Sequence, residues 1–238
     1  IISCFSKEVG VALNAEKSDG ISILCPNSMK SEFHKSKDKV DFLGYSISND
    51  KVSIKDSSVK KIKREISYIL YKHLIQPLKT SPLKALKIPA NNKDEALLSA
   101  ICEIRRYMYG NLSEDMISAY LNGRSNRIFF KGVMSFYPLI NDEIQMKALD
   151  GWLVNSIFKA VQHRSVLLVS HHQPRVHVFP FNVSRRELLK TCNQMRINKM
   201  KLLKFPSFLT IYKAMQKGLV EVGIAGVTDS KANTYHYM

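Results

Sequence analysis

A run of four basic side chains is the set of residues whose type and spacing point most directly to chemistry. It comprises Lys60, Lys61, Lys63 and Arg64. Ammonium and guanidinium groups bind phosphate oxygens and give affinity for nucleic acid without reading its sequence. The whole chain has 36 Lys and Arg against 20 Asp and Glu, a formal net charge of +16, which favours a polyanionic partner through counterion release. We therefore expect this run to contact nucleic-acid phosphates. Other basic proteins share this charge, however, and a charged face is often only solvated.

Two other groups of residues could also meet nucleic acid. The first is a later basic cluster formed by Arg185, Arg186, Lys190, Arg196, Lys199, Lys201 and Lys204. It could serve an RNA template, a structural RNA or another protein subunit. The second group combines guanidinium and aromatic side chains suited to stacking on bases, at Arg105, Arg106, Tyr107 and Tyr109. An amphipathic helix end explains that second group equally well.

Cysteine and histidine do not form the pattern of a metal site. The four cysteines are scattered and include no Cys-x-x-Cys pair; they are Cys4, Cys25, Cys102 and Cys192. The four later histidines lack zinc-site spacing and have no carboxylate or cysteine close by in sequence; they are His163, His171, His172 and His177. We expect reduced thiols and no metal ion bound by this chain.

Two short segments carry a family-specific pattern. Residues 10–18 read GVALNAEKS, and residues 40–47 read VDFLGYSI. Together they resemble the last two conserved blocks of the reverse-transcriptase palm of bacterial group II intron, retron and defence-associated enzymes. The first block, G-x-x-L-N-x-x-K, is matched by Gly10, Leu13, Asn14 and Lys17, and the second, F-L-G-Y, by Phe42, Leu43, Gly44 and Tyr45.

The resemblance implies roles for these residues. Phe42, Leu43, Gly44 and Tyr45 would form the primer grip, with Gly44 allowing close approach of a nucleic-acid backbone. Lys17 would be auxiliary, either as a general acid toward the leaving pyrophosphate or as a residue that binds phosphate or stabilises the loop. Plain core packing is the competing explanation for Phe42 and Leu43. We expect it to hold for at least one of them, because successive strand residues face opposite ways.

The resemblance also implies a metal and partners. The family's magnesium ions are held by aspartates in a Y-x-D-D turn and an earlier strand, upstream of the two matching blocks, and this sequence contains no adjacent aspartates. We expect the chain to be the C-terminal portion of an RNA-directed DNA polymerase that grips an RNA template and a DNA or RNA primer. The N-terminal part of the same polymerase would hold the magnesium and the dNTPs. The alternative is a non-catalytic nucleic-acid-binding or assembly module that meets a structural RNA or a protein subunit.

Hydrophobic periodicity, read beside the resemblance, predicts an α+β fold in three segments. Residues 1–54 form the end of the palm, with short strands at 21–25 and from Val40 onward and a hairpin around Asn49 and Asp50. Residues 55–110 form a helical thumb, and residues 111–238 form a mainly helical C-terminal extension with a small β element.

Capping residues and apolar spacing predict the individual elements. The first helix is expected from Ser57 or Ser58 to a close at Pro77 together with Pro82. Further helices are expected over 94–109, from Ser113 to near Gly123, over 141–163, from Ser184 to about Lys204 and over 206–217. Further strands are expected over 165–170, 175–181 and 219–224. The apolar stretches are far shorter than the ~20 residues that span a bilayer, so we expect no membrane partner and a cytoplasmic protein.

Overall fold

The computed structural model describes residues 23–25, 36–80, 94–125, 128–170 and 178–227. Within these ranges the chain is mostly helical and has a three-stranded antiparallel sheet near its start, which fits the expected α+β class. The strands are β1 (Ile23–Leu24), β2 (Ser36–Lys37), β3 (Lys39–Phe42), β4 (Tyr45–Ser48) and β5 (Val52–Ile54). The helices are α1 (Asp56–Leu70), α2 (Gln76–Thr80), α3 (Glu95–Tyr109), α4 (Glu114–Leu121), α5 (Glu143–Ser170), α6 (Arg185–Gln194) and α7 (Phe208–Val227).

The sheet is a meander in which β4 lies between β3 and β5. Because side chains alternate along a strand, each face is made of matched rows. One row is apolar and consists of Val40, Ile47 and Val52. The next row is polar and consists of Asp41, Ser46 and Ser53. The short strand β1 pairs in parallel with β2, which directly precedes the meander.

Two turns connect the strands of the meander. Asn49 and Asp50 lie between β4 and β5, so the hairpin predicted at these residues is confirmed. The β segment expected from Val40 onward is interrupted, because Leu43 and Gly44 form a two-residue turn between β3 and β4. Both have positive φ angles, +45° and +88°, as a type I′ hairpin turn requires.

The first long helix is confirmed in its start and its buried face. α1 buries Ile62, Ile66 and Ile69, at the predicted helical spacing. The close of this helical region was predicted at Pro77 together with Pro82. A π-helical segment, Tyr71–Ile75, continues from α1 into α2, which passes through Pro77 and is described up to Thr80; Pro82 lies outside the described residues.

The next two helices begin and end as the sequence predicted. Asp94 caps α3 by accepting hydrogen bonds from the amides of Ala96 and Leu97, and Ser113 caps α4 through the amide of Met116. Gly110 ends α3 with φ +68°. The backbone of Gly132 passes so close that a Cβ atom there would lie 2.6 Å from the Gly110 nitrogen. This approach packs a 3₁₀ helix, Val133–Phe136, against the end of α3.

The later strand predictions are wrong. Residues 165–170 continue α5, where Val161, Arg164 and Leu168 are buried at helical spacing. Residues 219–224 belong to α7, which passes through Gly218 and has a non-helical residue at Gly223. The described part of 175–181 consists of turns. A short apolar run is compatible with either a strand or a buried helix. Here these runs are helical because they pack against the other helices.

The helix predicted from Ser184 has the expected capping box with Glu187, but it ends at Gln194 instead of continuing to Lys204.

Buried residues from Ile54 to Val227 form one hydrophobic core, to which all three predicted segments contribute. The boundaries between those segments stay predictions. Across the described residues, every helix is too short or too polar to cross a membrane.

Polar contacts inside the core fix how the helices pack. Arg164 on α5 forms a buried ion pair with Asp94, the cap of α3, with Nη1 and Oδ2 2.5 Å apart. The guanidinium also lies over the Phe181 ring, 5.4 Å from its centroid. Asp150 on α5 accepts hydrogen bonds from the amides of Phe208 and Leu209 at the start of α7. Thus α5 supplies a cation to the start of α3 and a carboxylate to the start of α7.

Arg164→Leu should lower the free energy of unfolding by about 3–5 kcal/mol, because it leaves the buried Asp94 carboxylate without its charged partner. Urea unfolding of the whole chain measures this effect. The matched control is Asp94→Asn combined with Arg164→Leu, which removes both charges and should cost less than the sum of the two single changes. Strictly additive costs would show that the two side chains are not energetically coupled.

Candidate nucleic-acid interface

The tip of the β3–β4 hairpin exposes two large apolar side chains. Phe42 is 61% exposed and Leu43 is 80% exposed. The expectation that at least one of them packs in the core is therefore wrong. The reason is local: β3 is an edge strand, and the turn places Leu43 at its apex. Two adjacent large apolar side chains at the apex of the hairpin leave apolar surface available to a partner.

Tyr45, the first residue after the turn, attaches the hairpin to the helical part of the protein. It is partly buried, its hydroxyl donates to the Phe136 carbonyl oxygen over 3.0 Å, and its ring meets Tyr137 edge-on with centroids 5.7 Å apart. Burial raises the pKa of the Tyr45 hydroxyl, so the group stays protonated and remains a donor. The geometry gives Tyr45 a positioning role, holding the hairpin to the helical part of the molecule.

Gly44 is required by the turn and by its neighbours. A Cβ atom there would lie 3.2 Å from Cε1 of Tyr137 and 3.5 Å from the Ser58 hydroxyl, in addition to the strain of φ +88°. Its carbonyl oxygen accepts a hydrogen bond from the Lys55 amide over 2.9 Å. The close approach at Gly44 is thus made by a protein side chain, and a substitution there would disturb folding as well as any nucleic-acid contact.

The start of α1 lies directly beside the hairpin. Lys55 Nζ is 3.5 Å from the Asp41 carboxylate, and Lys39 Nζ is 3.7 Å from the Asp56 carboxylate. Such exposed pairs contribute about 0–1 kcal/mol each. Their effect on the surface matters more, because they neutralise the carboxylates nearest the hairpin tip.

The structure separates the four basic residues of the predicted run. Lys60, Lys61 and Arg64 are exposed, and among the described residues none of the three has a carboxylate partner. Lys63 is partly buried, and its ammonium lies 5.3 Å from the centroid of the Trp152 ring on α5. Three uncompensated cations therefore follow the hairpin tip, and the fourth is turned toward α5.

Sequence reasoning missed two features of this surface. Tyr68 and Tyr71 are exposed further along the same side of the helix, at a spacing of four and seven residues from Arg64. Their helical spacing from Arg64 was the signal that could have identified them. The outer edge of β5 is covered as well: Asn141 and Gln145 exchange hydrogen bonds with the backbone of Val52 and Ile54. In the part of the chain that the structure describes, the outer edge of β3 has no such strand-like partner.

The remaining predicted residues fall in other places. Lys17 lies outside the described residues. Arg105 and Tyr109 are buried, which removes them from the proposed stacking group. The later basic cluster is divided: Arg185, Arg186 and Lys190 are exposed on α6, whereas Lys204 pairs with the buried Glu114. Over the ranges with described coordinates, no three histidine, cysteine, aspartate or glutamate side chains are grouped to hold a metal ion.

Comparison of the chain with protein-family models, with curated proteins and with solved structures finds no match.

Proposed function

We propose that this chain is the C-terminal portion of a reverse-transcriptase-like RNA-directed DNA polymerase and that it grips the primer and template. One observation carries the proposal: the F-L-G-Y residues form a hairpin whose apolar tip is exposed, immediately before a helix with three uncompensated cations. The two kinds of surface fit the two parts of a nucleic acid. Phe42 and Leu43 would contact sugars or an unstacked base, and Lys60, Lys61 and Arg64 would bind phosphates.

Catalysis in this proposal depends on a segment other than this chain. Magnesium would be held by aspartates of the upstream palm, which would also bind the dNTP. Lys17 would assist near the leaving pyrophosphate. The described residues supply binding and orientation, which is a large contribution in phosphoryl transfer because most of the catalytic effect comes from positioning and electrostatics.

A second candidate is a non-catalytic nucleic-acid-binding or assembly module. The exposed apolar tip and the outer edge of β3 favour it, because an edge strand can also accept a strand from a protein partner. In that case the palm-like hairpin would dock onto a subunit and the basic helix would bind a structural RNA.

Leu43→Asn combined with Phe42→Thr should reduce primer extension by a polymerase that contains this chain, without loss of folding. Asn-Gly is the preferred pair for a type I′ turn and threonine is a good strand residue, so the hairpin is preserved while its apolar tip is removed. Primer-extension rates and urea unfolding are measured on the same variant. A stably folded variant with parental extension rates would exclude the primer-grip role of Phe42 and Leu43.

Changing Lys60, Lys61 and Arg64 to Gln should weaken duplex binding equally for all sequences. The slope of log affinity against log salt should fall by about 0.7 to 0.9 for each phosphate that the variant no longer binds. Lys63→Gln is the matched control: it removes one charge from the same helix, but its ammonium lies over Trp152, so a smaller change in slope is expected. A parental slope in the triple variant would show that the three cations only face solvent.

The purified 238-residue chain should bind nucleic acid but incorporate no nucleotide with magnesium or manganese. Two-metal catalysis needs carboxylates that hold ions about 4 Å apart, and in the proposal those lie in the upstream palm. Primer extension with labelled dNTPs measures incorporation, and adding an upstream palm segment should restore it. Incorporation by the chain alone, abolished by changing one of its own aspartates, would overturn this placement of the active site.

A further inference from the structure

The exposed side of α1 and of the π-helical segment that continues it changes from basic to aromatic along the chain. Lys60 and Arg64 come first, and Tyr68 and Tyr71 follow at spacings of four, four and three residues. With a rise of about 1.5 Å per residue, this stripe is roughly 16 Å long. Tyr68 is 56% exposed and Tyr71 is 40% exposed. A basic half and an aromatic half are therefore aligned on one side of the same helix.

Packing of the described residues does not account for the two tyrosines. The buried face of α1 is made by Ile62, Ile66 and Ile69, which point away from the stripe. Neither tyrosine hydroxyl has a hydrogen-bond partner among the residues that the structure describes. Two exposed rings that serve neither the core nor a hydrogen bond are available to a ligand.

The surroundings of Tyr71 add a second observation. Tyr71 begins the π-helical segment, a local widening of the helix that is frequent at functional sites. The ammonium of Lys79 lies 5.8 Å from the centre of its ring. The adjacent Lys72 is paired with Glu103 through an Nζ–Oε1 contact of 2.9 Å, so its charge is largely compensated. The aromatic half thus offers rings beside one cation, whereas the basic half offers uncompensated charge.

We propose that Tyr68 and Tyr71 form a stacking platform for unpaired nucleotides of a strand whose phosphates are bound by Lys60 and Arg64. This inference rests on the proposed function, because it takes nucleic acid to lie along α1. Rings on an exposed helix cannot reach the faces of paired bases, which are covered by their neighbours in a duplex. Unpaired bases can turn out and stack on aromatic side chains, and every base has a face suitable for this. The two rings lie about one helical turn apart, which suits successive bases of an extended strand.

The test uses the whole chain with Tyr68→Ala, Tyr71→Ala and the double variant. The probes are a short deoxythymidine oligomer and a duplex of the same length, each titrated over a series of salt concentrations. Alanine favours the helix, so folding should be preserved. Met116→Ala removes a similarly exposed side chain from α4, which packs on α7, and serves as the matched control.

Each alanine variant should bind the single strand roughly 5-fold to 100-fold more weakly, the range expected for removal of one base–aromatic stack. The slope against salt should stay parental, because no phosphate contact is removed, and duplex affinity should hardly change. Tyr68→Phe and Tyr71→Phe should retain single-strand binding. A strand carrying 2-aminopurine should show fluorescence quenching with the parental and phenylalanine proteins, weaker quenching with each single alanine variant and no quenching with the double alanine variant.

Several results would overturn the stacking platform. Parental single-strand affinity in the double alanine variant is one, and equal losses for single strand and duplex are another. A loss of self-association in place of nucleic-acid binding would assign the tyrosines to a protein contact. Failure of the phosphate contacts is distinguishable: the Lys60, Lys61 and Arg64 variant would then keep its salt slope, while the tyrosine variants would still bind the single strand more weakly.

Discussion

The contact between Tyr45 and Tyr137 is the constraint on which the geometry of the candidate site depends. A hairpin as short as β3–β4 is marginally stable alone and needs support from the rest of the fold. Tyr45 provides it through its ring and through its hydroxyl bond to Phe136. Phe136 ends the 3₁₀ helix that follows Gly132, and Gly132 packs against Gly110 at the end of α3. The hairpin tip is therefore held in a defined position relative to the core that also orients α1.

Charge compensation around this support shapes the surface. The carboxylates of Asp41 and Asp56 are paired with Lys55 and Lys39, and Glu103 is paired with Lys72. These acidic side chains near the two ends of α1 therefore form ion pairs with lysines. Lys60, Lys61 and Arg64, which lie between them, have no carboxylate partner among the described residues. Part of the positive charge of the chain is consequently exposed on the part of α1 nearest the hairpin. This local arrangement is more informative than the net charge, because many basic proteins carry a similar total.

Sequence reasoning succeeded where the chemistry is local. Three helix starts were predictable, because the N-cap side chain at each accepts hydrogen bonds from the backbone amides of the first turn. These residues are Asp94, Ser113 and Ser184. It failed where tertiary packing decides. Residues 165–170 and 219–224 are short apolar runs that become helical because they extend α5 and α7 along the core.

The candidate site shows the same division. The sequence predicted a β segment from Val40 onward, but alternation along a strand could not foresee that Leu43 and Gly44 form a turn that exposes both Phe42 and Leu43. The contact between Lys63 and Trp152 could not be predicted either. Trp152 is 89 residues away in sequence, and the two side chains meet only because α5 packs beside α1. Tyr68 and Tyr71 were within reach of the sequence, since they follow Lys60 and Arg64 at helical spacing.

The arrangement of apolar and charged surface bears on which partner the site fits. An exposed apolar tip alone suits a protein as well as a nucleic acid. The outer edge of β3, which has no strand partner among the described residues, suits a protein better. Lys60, Lys61 and Arg64, which have no carboxylate partner among the described residues, change this balance, because a protein partner would have to bring carboxylates at matching positions. A nucleic acid supplies phosphates at regular spacing together with sugars and bases, so one partner meets the tip, the cations and the tyrosines at once. For that reason we favour a nucleic-acid grip over a subunit contact at this surface.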